Sequence, residues 1–105
     1  MTAAKITAMT AEVFPALLAR MAVAEQSPEN MEKLAVLWGG FLGRMFRITY
    51  PGSNGSVTKE GKLLAVVEIE NHGYGLQFQV PKGKREGSFR RPRVPAREIR
   101  GLEPI

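Results

Sequence analysis

The sequence predicts an α+β fold in which two N-terminal helices pack on a small, curved antiparallel sheet. Two observations support this prediction. Apolar residues recur with helical spacing as far as about Gly43, and beyond it they alternate with a period of two. A chain of 105 residues suits one modest core and hence one domain. We therefore expect a single domain, 1–105, with a helical hairpin at 14–43 and a strand-rich part at 44–104.

The first predicted helix covers about residues 14–25. Its apolar side chains follow the spacing i, i+3, i+4, i+7 and are Phe14, Leu17, Leu18 and Met21. Pro15 is expected in the first turn, where its missing N–H costs nothing. Residues 1–12 carry weaker signals and are expected to form a frayed arm or a short strand.

The second predicted helix begins after Ser27, because a serine N-cap followed by proline is a strong helix-start signal. A connection of about two residues predicts that the two helices form an αα-hairpin. Glycine inside a helix costs about 1 kcal/mol relative to alanine, so Gly39, Gly40 and Gly43 should either end the helix near Gly43 or let another backbone come close. Its apolar stripe consists of Met31, Leu34, Ala35, Trp38, Phe41, Leu42 and Met45.

Strands follow the helices. Phe46, Ile48 and Tyr50 alternate with polar residues and predict a half-buried strand that ends at Pro51. The segment 51–61 is rich in turn-forming residues and is expected to be a mobile loop.

The clearest hairpin is expected between Leu63 and Val80. A two-residue turn at His72-Gly73 would place Ile69 opposite Leu76. In that register the inward residues are Leu63, Ala65, Val67, Ile69, Leu76, Phe78 and Val80. The outward residues are Glu68, Glu70, Gln77 and Gln79.

The C-terminal residues predict a proline-started turn and a last strand. The residues that indicate this are Val94-Pro95, Ile99 and Leu102. The turn is similar to the short 3₁₀ turn before the last strand of SH3-like small β-barrels, and 44–104 resembles that superfold in the order of its elements. The resemblance implies a curved sheet or barrel and no binding residues, since folds of this kind host many functions.

The side-chain inventory argues against an enzyme. The chain has no cysteine and no aspartate, and His72 is its single histidine, which excludes Cys-His catalysis and His-rich metal sites. We expect His72 to be an exposed turn residue, and Glu68 and Glu70 to form a solvated strand face. The prediction is therefore a protein without catalytic residues, bound metal or cofactor.

The strongest functional signal is the basic tract, which we define as residues 82–100. It contains eight basic and two acidic residues, whereas the whole chain has a net charge of +5. Clustered Lys and Arg neutralise phosphates, so the tract predicts binding to nucleic acid, either DNA or RNA. Phe89 and Tyr74 are candidates for stacking on a base. The candidate binding residues are Lys82, Lys84, Arg85, Phe89, Arg90, Arg91 and Arg93.

Other partners remain open. A small accessory or inhibitory protein would use the same tract on an acidic surface of a larger complex, and residues 92–97 match the polyproline pattern P-x-x-P-x-R. The tract can also be a solvated loop without a partner. A helix-turn-helix is disfavoured, because Glu29 and Glu32 on the second helix would face phosphates. With no apolar run for a membrane span and no signal-peptide core, a cytoplasmic location is expected.

Overall fold

A computed structural model of the chain describes residues 3–83 and 87–105, with side chains described from residue 13 onward within these ranges. The α+β prediction is confirmed, because over the described residues two helices are followed by a six-stranded antiparallel sheet. The elements are α1 Ala3–Val23, α2 Pro28–Gly39, β1 Met45–Gly52, β2 Gly55–Ile69, β3 Gly73–Pro81, β4 Phe89–Arg90, β5 Arg93–Pro95, a 3₁₀ turn Ala96–Glu98 and β6 Gly101–Pro104.

Helix α1 is longer than predicted. It begins at Ala3, so the frayed arm or strand expected over 1–12 is wrong for residues 3–12. Alanine is the best helix former, and this segment holds several alanines without glycine or proline, so propensity forms a helix where periodicity is weak. Pro15 consequently lies inside the helix and not in its first turn. The predicted inward face is confirmed, because Phe14, Leu18 and Met21 are buried.

Helix α2 begins as predicted and ends earlier. The Asn30 N–H donates a hydrogen bond to the Ser27 hydroxyl at 3.1 Å, which confirms the N-cap. Residues 24–27 connect the helices, four residues in place of about two. The helix ends at Gly39, so Met45 belongs to β1 and is exposed, contrary to its predicted place on the helix stripe. The paired glycines at positions 39 and 40 end the helix before the stripe is complete.

The segment expected as a mobile loop, 51–61, forms strand instead. β1 and β2 pair from Met45 opposite Lys62 to Gly52 opposite Gly55, with a two-residue turn at Ser53-Asn54. Gly55 has a φ of +110°, which glycine adopts without strain and which lets a tight turn join the two strands. The turn-forming residues therefore mark the tip of a long hairpin.

The β2–β3 hairpin has a different register from the predicted one. Its loop is three residues, 70–72, and Ile69 lies opposite Gly73, not opposite Leu76. The register then shifts between Leu63 and Ala65, where Leu64 is the extra residue of a bulge. The shift exchanges the faces of β2, so Val66 is buried whereas Ala65, Val67 and Ile69 are only half-buried. On β3 the predicted burial of Leu76, Phe78 and Val80 is confirmed.

The strand order is β4-β3-β2-β1-β6, with β5 also pairing with β3, and over the described residues the sheet is open. The core lies between one face of this sheet and the two helices. Phe14 of α1 lies at the centre of this core. The centroid of its ring is 5.8 Å from the ring centroid of Trp38, 5.0 Å from that of Phe41 and 5.2 Å from that of Phe46. Trp38 is fully buried, as predicted. α1 packs on the 3₁₀ turn, β6 and β3, and α2 packs on β2. Neither helix, as far as the structure describes it, has the length and apolar character that a membrane crossing requires.

Candidate nucleic-acid interface

Residues 89–95 of the basic tract form a nearly continuous edge strand along β3. Val80 lies opposite Arg90 in β4, and Gln77 lies opposite Arg93 in β5, which is one constant register. Between them the Phe78 N–H donates a hydrogen bond to the Pro92 carbonyl at 3.0 Å. β4 and β5 are therefore two parts of one strand whose register with β3 does not change across the interruption. The alternation of its side chains consequently continues from β4 to β5.

This register decides which side chains share a face. Successive side chains of a strand point to opposite faces, so Phe89, Arg91 and Arg93 lie on the same side of the sheet. Val94 has the opposite parity and is buried under the helices. We use the name open face for the side of the sheet that points away from α1 and α2. Phe89 is 45% exposed there, which leaves much of its ring available for contact.

The structure brings together only some of the predicted binding residues. Phe89, Arg91 and Arg93 share the open face. Lys82 is exposed just beyond β3, where it has the parity of Val80 and so lies at the sheet edge and not on the open face. Arg90 lies opposite Val80, so it has the parity of the helix-covered side at the sheet edge. The remaining two candidates, Lys84 and Arg85, lie outside the described residues.

The prediction that Tyr74 is available to stack on a base was wrong. Its side chain is 1% exposed, and its hydroxyl is occupied by the backbone of Ser27. The Ser27 N–H donates a hydrogen bond to the Tyr74 hydroxyl at 2.9 Å. The Tyr74 hydroxyl in turn donates a hydrogen bond to the Ser27 carbonyl oxygen at 3.0 Å. Tyr74 therefore connects β3 to the segment before α2 and is not available to a base.

Lys62 was missed by the sequence analysis. It lies opposite Gln79 of β3 on one side and Met45 of β1 on the other, so it continues the row of Arg91 across the open face. Residues 51–61 were predicted to be a loop and the next strand was predicted to begin at Leu63, so Lys62 was assigned to no strand. The signal available in the sequence was the alternation of polar side chains at Thr58, Glu60 and Lys62.

Charges on the open face are unevenly paired. Arg47 contacts the carboxylates of Glu60 at 3.4 Å and Glu103 at 3.8 Å. These pairs are about half exposed or more, so each contributes about 0–1 kcal/mol. The open-face cations Lys62, Arg91 and Arg93, and also Lys82 at the adjoining sheet edge, form no ion pair within the described residues. Positive charge is thus concentrated at the β2, β3 and β4–β5 end of the face.

The remaining candidate chemistry is sparse. His72 is exposed at its turn as predicted, and its Nδ1 lies 2.9 Å from the Arg97 guanidinium. Glu68 and Glu70 are exposed as predicted, but only Glu68 lies on a strand, since Glu70 belongs to the loop 70–72. Across residues 3–83 and 87–105, no group of three or more His, Cys, Asp or Glu side chains is placed to hold a metal ion.

Comparisons of the chain with protein-family models, with curated proteins and with solved structures find no match. Function is therefore inferred from the chemistry of the open face, where exposed cations, one exposed aromatic ring and two glutamine amides are held on adjacent strands.

Proposed function

We propose that this chain is a non-enzymatic nucleic-acid-binding protein that contacts phosphates through the cations of the open face. The observation that supports this most directly is the constant register along β3, which gives Phe89, Arg91 and Arg93 one common side. Lys62 extends the same surface across the sheet, and Lys82 is exposed at the sheet edge beside it. Partners that carry regularly spaced negative charge fit such a surface.

The geometry suits a strand of nucleic acid. Alternate residues of a β-strand are separated by about 7 Å, so Phe89, Arg91 and Arg93 form an evenly spaced row. Each guanidinium can donate two parallel hydrogen bonds to a phosphate, and the exposed ring can stack on a base. Gln77 and Gln79 lie beside this row and supply amide donors and acceptors. Arg90 and the two candidates outside the described residues, Lys84 and Arg85, stay predicted contributors from the flank.

We also propose that the sheet is a partly open relative of SH3-like barrels on which the two helices pack as a hairpin. The 3₁₀ turn directly before β6, and the pairing of β6 with β1, support this assignment. The proposed location is the cytoplasm, where a chain without cysteine meets nucleic acid in a reducing environment.

The salt dependence of binding tests the proposal. Four phosphates, neutralised by Lys62, Lys82, Arg91 and Arg93, predict that log K falls with log salt at a slope of about −3.6 on duplex DNA and about −2.8 on a single strand. The measurement is fluorescence anisotropy with labelled oligonucleotides of both kinds. Replacing Arg91 and Arg93 together by glutamine should reduce these slopes to about −1.8 and −1.4.

A matched control separates location from net charge. Replacing Arg97 and Arg100 by glutamine removes the same charge from another surface, since both residues lie beside α1. We expect this control to keep nearly the full slope. An absence of binding at low salt, or an equal loss in the control, would refute the assignment to the open face.

A second function has one observation in its favour. Met45 and Ile105 are 42% and 64% exposed, and the Ile105 N–H donates a hydrogen bond to the Met45 carbonyl at 3.1 Å. Met45 lies opposite Lys62, so apolar surface adjoins the cations. This mixture suits an accessory or inhibitory protein on the acidic surface of a larger complex. A pull-down that returns one stoichiometric protein after nuclease treatment would favour this alternative.

A further inference from the structure

The charges of the open face suit one phosphate backbone better than two. Its unpaired cations lie at one end, where the two open-face arginines of the edge strand and Lys62 of β2 are found. Toward β1 and β6 the charge is not free, because Arg47 is paired with the carboxylates of Glu60 and Glu103. A duplex presents two backbones to a broad surface, and the second would meet these carboxylates. A single strand presents one backbone.

The open face is also too broad for the grooves of a duplex. Neighbouring strands lie about 4.8 Å apart, so the five strands from β4 to β6 span about 19 Å. The major groove of B-DNA is about 12 Å wide and admits one helix or a two-stranded ribbon, and the minor groove is narrower. Among the described residues no helix lies on this face, since α1 and α2 pack on the opposite one. The face as a whole therefore cannot contact the base edges of a duplex.

Groups that suit unpaired bases lie beside the cations. Phe89 is 45% exposed and precedes Arg91 and Arg93 on the same side of the edge strand, so a base can stack on its ring. Gln77 lies opposite Arg93, and its amide nitrogen donates a hydrogen bond to the Arg91 carbonyl at 3.4 Å. This leaves Gln77 Oε1 as an acceptor for the amino group of a base. In a duplex the bases are paired and stacked on one another, and extruding one costs free energy.

We propose that the nucleic acid bound by the open face is single-stranded, with its bases toward Phe89 and the glutamines and its phosphates toward the arginines and Lys62. This inference rests on the function proposed above and narrows its ligand to unpaired DNA or RNA. Alternate residues of a strand are about 7 Å apart, so the row from Phe89 to Arg93 is about 14 Å long. The contact is therefore with a short stretch of the strand.

Competition binding tests the proposal on the full chain. The labelled probe is an unstructured DNA strand of mixed sequence and about twenty nucleotides, longer than the usual binding site of such faces. Its competitors are the unlabelled strand, the same strand annealed to its complement, and an abasic strand of equal length. We expect the duplex and the abasic strand each to compete about 5–150-fold less well than the intact strand, the range for losing one stacked base. The salt slope should be nearly the same for the intact and abasic strands, because it depends on phosphates.

The same sequence made of ribonucleotides distinguishes the two sources of a single strand. Whichever of the DNA and RNA strands competes better identifies the natural ligand, and either result supports the proposal provided that the duplex competes less well.

Two variants assign the preference to the ring. Phe89→Ala should bind the intact strand no better than the abasic one, because the stacking contact is gone in both cases. Val13→Ala is the matched control, since Val13 is 43% exposed, close to the exposure of Phe89, and lies on α1 on the opposite side of the sheet. This control should keep the full difference between the two strands. Circular dichroism verifies that both variants are folded.

Three results would overturn the proposal. These are a duplex that competes as well as the single strand or better, an abasic strand that competes as well as the intact one, and a Phe89→Ala variant that keeps the full difference between them. In each case a salt slope typical of phosphate contacts would leave the function proposed above standing. A chain that binds no oligonucleotide at low salt would instead refute that function, and this inference with it.

Discussion

Replacing Tyr74 by phenylalanine tests how the sheet holds the segment between the two helices. The Tyr74 ring is buried at the start of β3, and its hydroxyl is the hydrogen-bond acceptor for the Ser27 N–H at 2.9 Å. Ser27 is the N-cap of α2, so one hydroxyl group positions the start of this helix on the sheet. The substitution removes only the hydroxyl and keeps the ring in the core.

The expected loss of stability follows from which groups lose a partner. The Ser27 carbonyl still accepts a hydrogen bond from the Met31 N–H at 2.9 Å, so it stays satisfied. The Ser27 N–H, which is partly buried, loses its acceptor. One lost hydrogen bond contributes about 1 kcal/mol, and a donor left partly without water adds to this. We therefore expect the free energy of unfolding to fall by about 1.5 kcal/mol, which lowers Tm by about 6–8 °C in a domain of this size.

Urea unfolding followed by tryptophan fluorescence measures this change, since Trp38 is fully buried in the folded state. Tyr50→Phe is the matched control, because Tyr50 is half-buried and its hydroxyl makes no side-chain hydrogen bond within the described residues. The control should change the free energy of unfolding by less than about 0.5 kcal/mol. Equal effects of the two substitutions would refute the role of the Tyr74 hydroxyl.

Two further predictions concern the sheet. Gly75→Ala should destabilise the fold by about 3 kcal/mol in urea unfolding, because the new Cβ would lie 2.3 Å from the Val94 carbonyl oxygen and force β3 and β5 apart. Gly40→Ala is the control, since a Cβ there would have nothing within 4 Å and the φ of Gly40 is −69°. This control should be neutral or stabilising by about 0.5 kcal/mol. Phe89→Ala should weaken binding to a single-stranded oligonucleotide by about 5–150-fold, the usual range for one stacked base, and should leave the salt slope unchanged. Phe89→Tyr should keep the affinity of the wild-type chain, because it retains the ring. Unchanged affinity in the alanine variant would exclude stacking.

Local signals in the sequence were sufficient for several elements. Ser27-Pro28 predicts the start of α2 because capping depends only on neighbouring residues. Burial of Leu76, Phe78 and Val80 follows from strict alternation on β3. The proline-started turn and the last strand, with Ile99 and Leu102 buried, follow from the spacing of a few apolar residues after Pro95.

Register was not predictable by the same means. The bulge at Leu64 exchanges the two faces of β2, and both faces there carry apolar residues, so the hydrophobic pattern alone does not select between Ala65 and Val66. Packing decides which of the two residues points inward, because Val66 lies on the helix-covered side and belongs to the buried core. Lys62 was missed for a related reason, since its place on the open face depends on pairing with both β1 and β3.

The edge formed by β4 and β5 explains why a partner should approach the face of the sheet and not its rim. Pro95 lies in this edge with its backbone on the outer side, and because it has no N–H it removes a donor that an added strand would need. The Pro92 carbonyl is already occupied by the Phe78 N–H at 3.0 Å. Arg91 and Arg93, which alternate with Pro92, place their charge on the open face. Since the edge is poorly suited to β-addition and the opposite face is covered by helices, the open face is the part of the sheet where these arginines can bind an anionic partner.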